Sequence, residues 1–180
     1  MLKTRIIPVL LMKNRGLYKG IKFKNHKYVG DPINTVKIFN EKEVDELIIF
    51  DIEASLKDKA IDFDYLEIVV SESFMPIGYG GGIKSLEDAK KLFKIGIEKV
   101  ILNTYAVLNF NLVEGLVKAF GSQSVVFCLD VKRTFLGNKV FIKSGTIKTE
   151  YTPLGLAKRL EDLGVGEIIV NSIDMDGTFK

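Results

Sequence analysis

Two apolar runs in this chain end on nearly the same pattern, and only one of them carries a group that can hold a proton. Residues 6–14 read Ile-Ile-Pro-Val-Leu-Leu-Met-Lys-Asn and residues 125–133 read Val-Val-Phe-Cys-Leu-Asp-Val-Lys-Arg. Asp130 in the second run stands where the first has Leu11. A carboxylate closing an apolar strand is a candidate general acid or base, and a leucine cannot take that part. The other run ends carry Lys13, Asp51 with Glu53, Gly80-Gly81-Gly82, Asn103-Thr104, and Asn171 with Asp174 and Asp176. The stretch Tyr79-Gly80-Gly81-Gly82-Ile83, ahead of a capped helix, suits phosphate binding because bare backbone N–H groups can approach an anion. A tight turn with no ligand is the other reading.

The opposite ends of the runs carry a second set. Arg5, Glu46, Lys99 and Glu167 each stand just before an apolar run. They are either solvated end groups or a neutral ring of two cations and two anions. A buried ring is costly unless fully paired, which suits a gate better than a brace.

The elements that must position these residues are short apolar runs at 5–11, 46–52, 66–70 or 74–79, 99–103, 124–130 and 167–171. Amphipathic stretches at Ile33–Asn40, Ser85–Ile95 and Pro153–Leu163 separate some of them, with Ser85 and Asp88 as a capping-box pair. Gly96 and Gly164 sit where such helices stop. Strands apolar on both faces and alternating with helices predict a parallel sheet in an α/β fold. Asp45-Glu46-Leu-Ile-Ile returns as Gly166-Glu167-Ile-Ile-Val, and with the first pair it defines a half-domain repeat (1–120; 121–180 incomplete). The repeat favours a closed barrel over an open sheet. A (β/α)8 barrel takes about 250 residues, so a single domain over 1–180 is expected to be an incomplete barrel of about six βα units. Strands seven and eight would then be absent; a six-stranded open sheet is the alternative.

Composition narrows the class. The chain has 180 residues, 47% of them apolar, and a net charge of +3 with signs interspersed. That suits one buried core and leaves no nucleic-acid footprint. The run Lys22-Phe23-Lys24-Asn25-His26-Lys27-Tyr28 is either a solvated loop or a loop that closes over an anionic small molecule. Cys128 is the single cysteine, inside an apolar run. With no disulfide framework, leader or membrane-spanning run, a cytoplasmic protein without metal or cofactor is expected.

The chain resembles the cyclase (synthase) subunit of imidazole glycerol phosphate synthase, the HisF family. The likeness runs over the whole sequence through Arg5-Ile-Ile, Lys19-Gly20, Gly30-Asp31-Pro32, Asp45-Glu46-Leu, Asp51-Ile52 with Ala54-Ser55, and Gly80-Gly81-Gly82-Ile83. It continues through Lys99-Val100, Asn103-Thr104, Gly121-Ser122-Gln123, Asp130 with Lys132-Arg133, Ser144-Gly145, Ser172-Ile173-Asp174 and Asp176-Gly177-Thr178. The resemblance implies a (β/α)8 TIM barrel of the HisF type and a lyase activity. A HisH-like glutaminase is implied as partner, its ammonia passing through the barrel. It makes Arg5, Glu46, Lys99 and Glu167 the ammonia gate. Lys19, Gly81, Gly82, Asn103, Thr104, Ser144, Asp176 and Gly177 become binding residues for a phosphorylated small molecule.

Two departures qualify the family reaction. It uses an aspartate pair, of which Asp130 is present and the partner position is Leu11. The usual Thr after Asp51-Ile52 is Glu53, either a candidate replacement acid from a neighbouring strand or a solvated loop carboxylate. The expectation is therefore a divergent paralogue that supplies ammonia to a separate sugar amidotransferase acting on a surface polysaccharide. Alternatives are an authentic cyclase of histidine biosynthesis and a non-catalytic scaffold that activates its glutaminase.

Overall fold

The computed structural model describes residues 4–178. Six strands run parallel and carry the architecture: β1 (Val9–Lys13), β4 (Leu47–Asp51), β5 (Ile77–Gly80), β6 (Lys99–Leu102), β7 (Val125–Thr134) and β10 (Glu167–Ser172). Two antiparallel additions flank them: the hairpin β2 (Gly16–Ile21) with β3 (Lys24–Gly30), and β8 (Gly137–Ile142) with β9 (Ile147–Lys148). The sheet order is β3-β2-β1-β4-β5-β6-β7-β8-β9, with β10 also paired to β7. It is a mostly parallel α/β sheet, and among the described residues β1 and β10 form no ladder with each other.

Helices α1 (Pro32–Glu41), α2 (Phe63–Ser71), α3 (Leu86–Lys94), α4 (Thr104–Leu108), α5 (Phe110–Phe120) and α6 (Pro153–Asp162) occupy the connections. Their starts are encoded locally. Asp31, Asp62, Ser85 and Thr152 each accept a backbone N–H two or three residues on, and Pro32 and Pro153 open α1 and α6. Ser85 and Asp88 form the expected reciprocal capping box. None of these helices is long and apolar enough to cross a membrane.

Of the alternatives 66–70 and 74–79 for the third strand, the first is corrected, since that run lies in α2, capped by Asp62, while the second overlaps the observed strand Ile77–Gly80. Leu66, Val69 and Tyr65 bury one helical face, so helical spacing outweighed a β-branched run. The first strand starts at Val9, later than expected. The stretch 22–28 is part of a hairpin rather than a loop. Its turn, Lys22-Phe23, has both φ values positive, the mirror-type turn that hairpins favour, but without the glycine or asparagine that normally announces it.

Alternation along the strands sorts the side chains. Leu47, Ile49, Ile77, Tyr79, Val100, Leu102, Phe127 and Leu129 face the helices and build the main core. Ile48, Ile101, Val126 and Cys128 face the other way into a small inner cluster, joined by Ile7, Phe50 and Ile169.

Candidate functional site

Following each strand in steps of two gives the inner rows. These read Arg5-Ile7-Val9-Leu11, Glu46-Ile48-Phe50, Lys99-Ile101-Asn103, Val126-Cys128-Asp130 and Glu167-Ile169-Asn171. Four rows begin on a charge, every row passes through apolar side chains, and three end on a polar one. At about 3.3 Å per residue, the charged and polar levels lie about 13 Å apart.

At the lower level the four charges meet. Arg5 Nη1 lies 3.2 Å from Glu46 Oε2 and Nη2 lies 2.7 Å from Glu167 Oε1. Lys99 Nζ lies 2.8 Å from Glu46 Oε2 and 3.0 Å from Glu167 Oε1. Signs alternate around a closed ring, the paired arrangement rather than the solvated one. Glu46 is buried, Lys99 mostly so, and Arg5 half-exposed. Burial pushes the Glu167 carboxyl up, but Arg5 and Lys99 outweigh it and hold it below the usual range. The Arg5–Glu167 contact links the segment leading into β1 with the start of β10, so the sheet is curled enough for side chains of its inner rows to meet across it.

At the upper level Asp130 is buried. Its Oδ2 accepts from Asn103 Nδ2 at 3.1 Å and its Oδ1 from Asn171 Nδ2 at 3.3 Å, with the Cys128 thiol 3.7 Å from Oδ1. Burial raises the carboxyl to about 6, against the pull of these three donors, and Asp176 adds to the rise. A group tuned near neutrality can both give and take a proton at ordinary pH.

Above it opens a cavity of about 750 Å³. Its wall brings together Lys19, Gly81, Gly82, Asn103, Thr104, Ser144, Asp176 and Gly177, the expected binding residues, with Asp130, the expected catalytic group, and Leu11 at its lost partner position. Several are already engaged. Thr104 Oγ1 accepts from Lys143 N at 3.0 Å, and Ser144 Oγ donates to Ile52 O at 2.9 Å. Asp176 accepts from Lys22 N at 2.9 Å through its carbonyl and from Phe23 N at 3.1 Å through its carboxylate. The β2–β3 hairpin is thereby held over the cavity, with Phe23 and His26 in the wall.

The glycine turn is only partly the expected anion cradle. A Cβ on Gly81, at φ +130°, would stand 2.6 Å from Asp51 O, so close packing alone requires glycine there. The N–H groups of Lys84 and Ser85 both donate to Asp88 Oδ2, which fills the start of α3. Anion donors must come from the turn, not from that helix.

Glu53 corrects its expectation as a replacement acid. It is 5% exposed and is not among the residues lining the cavity. Its carboxylate is gripped by Lys57 (2.6 Å), Lys59 (2.8 Å) and Lys13 (3.3 Å). Burial pushes the carboxyl up, but the three ammonium groups win and hold it at about 2. An acid that never holds its proton near neutral pH cannot donate one. Lys57 and Lys59 escaped the sequence reading although Glu53 and Lys57 have the i,i+4 spacing of an ion pair. Cys128 was placed in an apolar run without its contact to Asp130, which the same-face step of two implies.

A curled parallel sheet with its chemistry at the carboxyl ends of the strands defines the barrel-type class of α/β proteins. Comparison with known proteins narrows this. The family described as "Histidine biosynthesis protein" matches residues 5–180. The chain is 51% identical over 181 residues to the "Putative imidazole glycerol phosphate synthase subunit hisF2" of Pseudomonas aeruginosa, covering 100% of this chain and 72% of that protein. It is 42% identical over 180 residues to the protein of the same description from Campylobacter jejuni, covering 100% of this chain and 71% of the relative. Against the "Imidazole glycerol phosphate synthase subunit HisF" of Exiguobacterium sibiricum it is 40% identical over 178 residues, covering 99% and 72%. This chain belongs to the HisF family.

Proposed function

We propose that this chain is a synthase subunit of a glutamine amidotransferase, docked through the charged ring onto a HisH-like glutaminase. Ammonia enters at Arg5, Glu46, Lys99 and Glu167, crosses the apolar middle of the inner rows as a neutral molecule, and arrives at Asp130. A paired ring excludes bulk water at that mouth, while the isoleucine layer disfavours ammonium. The acceptor is not the family's ribonucleotide but a sugar of a surface polysaccharide, amidated by a separate enzyme.

The observation that carries this reading is Leu11 in the row facing Asp130, with Glu53 locked in its lysine cage. Losing one positioned acid–base group costs about 10²–10⁴-fold in rate, whereas the ring and the apolar passage are complete. An authentic cyclase of histidine biosynthesis is the second reading, favoured by the 750 Å³ cavity with Lys19, Gly82, Asn103 and Thr104 in its wall. Lys19, Gly81, Gly82, Asn103, Thr104, Ser144, Asp176 and Gly177 hold a phosphorylated ligand under either reading.

One assay separates them. The complex with a HisH-like glutaminase should hydrolyse glutamine yet form no imidazole glycerol phosphate from the family's nucleotide, with glutamine or with ammonium salt. Sustained ring closure with ammonium salt would establish the second reading instead.

A further inference from the structure

One aromatic ring stands in water on the link that leads into β5, at the same end of the sheet as the charged ring, and hydrogen bonds fix the backbone that carries it. Phe74, 92% exposed, lies on the short link between α2 and β5. Asn40 at the end of α1 accepts from Phe74 N at 3.0 Å and donates to Glu72 O at 2.8 Å. Ser73 N donates to Val70 O at 2.9 Å, and Ser73 Oγ to Met75 O at 2.8 Å. Leu47 N donates to Pro76 O at 2.9 Å, one residue along from Glu46 of the ring.

A loose loop would fold such a side chain down onto the neighbouring groove, where Phe39, Val44 and Met75 offer apolar surface. The Asn40 bridge fixes the backbone of this link, so the point from which the Phe74 side chain projects is set before binding and the link itself loses little entropy on docking. Exposed Glu43, Asp45 and Glu98 lie at the same end of the sheet with exposed Lys42 among them, and the nearby Lys37 is paired with Glu72 at 3.2 Å. The patch is therefore an apolar knob within a rim whose balance is acidic.

We propose that Phe74 is the anchor by which the ammonia-supplying subunit docks, entering an apolar pocket of that partner rimmed by lysine or arginine. The proposal rests on the glutaminase reading given above and adds to it the side chain that holds the seal. Neutral ammonia is lost to water unless the two mouths are pressed together, and the anchor sits where that pressure is needed.

The test is titration of the HisH-like glutaminase of the same genome with wild type, Phe74→Ala, Phe74→Leu, Glu43→Lys and Phe135→Ser. Phe135, fully exposed on the β7–β8 turn at the opposite end of the strands, is the control. Phe74→Ala should weaken binding about 30-fold or more, the size of an interface hot spot. Phe74→Leu should recover most of it, Glu43→Lys should weaken it several-fold, and Phe135→Ser should bind as wild type. Melting temperatures should be unchanged, because Phe74 is almost wholly in water. If wild type binds and Phe74→Ala binds equally well, the anchor is overturned while the glutaminase reading stands. If wild type fails to bind at all, that reading falls first and takes the anchor with it.

Discussion

Asp130 and Glu53 are both buried carboxylates, and their neighbours send them in opposite directions. Asp130 meets neutral carboxamides and a thiol, so burial dominates and its pKa rises from 3.8 to about 6. Below about pH 4 it is protonated folded or unfolded; between about pH 4 and 6 only the unfolded chain ionises, so stability falls across that window and levels off once the folded carboxyl ionises too. Asp130→Asn should therefore stabilise the protein by about 1–3 kcal/mol at pH 8, the gain vanishing near pH 4, as read by denaturant titrations at the two pH values. Glu53 is held at about 2, down from 4.5, so its contribution is present above pH 4.5 and lost as pH falls through 2. With its lysines a third to a half exposed, we expect Glu53→Gln to cost only about 1–2 kcal/mol at neutral pH. Acid unfolding curves of variant and wild type should converge near pH 2.

At the scale of elements, the caps and the steps of two were legible, and the hairpins were not. Ser85 and Asp88, three apart before an apolar periodicity, announced α3, and both halves of the box are present. Ser85→Ala should cost about 1 kcal/mol, measured as a shift in the denaturant midpoint with unchanged slope. The β2–β3 turn hid because Lys22-Phe23 lacks the residues that tolerate positive φ cheaply, and its hydrogen-bond partner, Asp176, lies more than 150 residues away. Long-range contacts, not turn propensity, hold that conformation. The β-branched run 66–70 misled for the reverse reason: its local preference yielded to burial of Leu66 and Val69 on one side of a helix.

For the whole molecule, the decisive feature is that residues 5, 46, 99 and 167 meet at one level. Lys99 is the most buried cation of the four, so Lys99→Met leaves Glu46 and Glu167 with Arg5 alone. We expect a loss of about 1–3 kcal/mol, less than for a fully broken buried pair because Arg5 still faces both carboxylates. Adding Glu167→Gln should restore part of it in denaturant melts, since one unmatched charge is then removed.

Which side chains share an inner row was determined by the chain itself, because alternation along a strand follows from backbone sterics alone. That four of the five rows begin on a charge and then pass through isoleucine could be read residue by residue. Whether those rows face one another was decided only by tertiary structure. Curling depends on the summed twist of six strands and on the helices packed behind them, and no local pattern encodes that sum. The same holds for Glu53, which in sequence is either a replacement acid or a solvated loop group, and around which only the fold closes lysines from β1 and from its own loop.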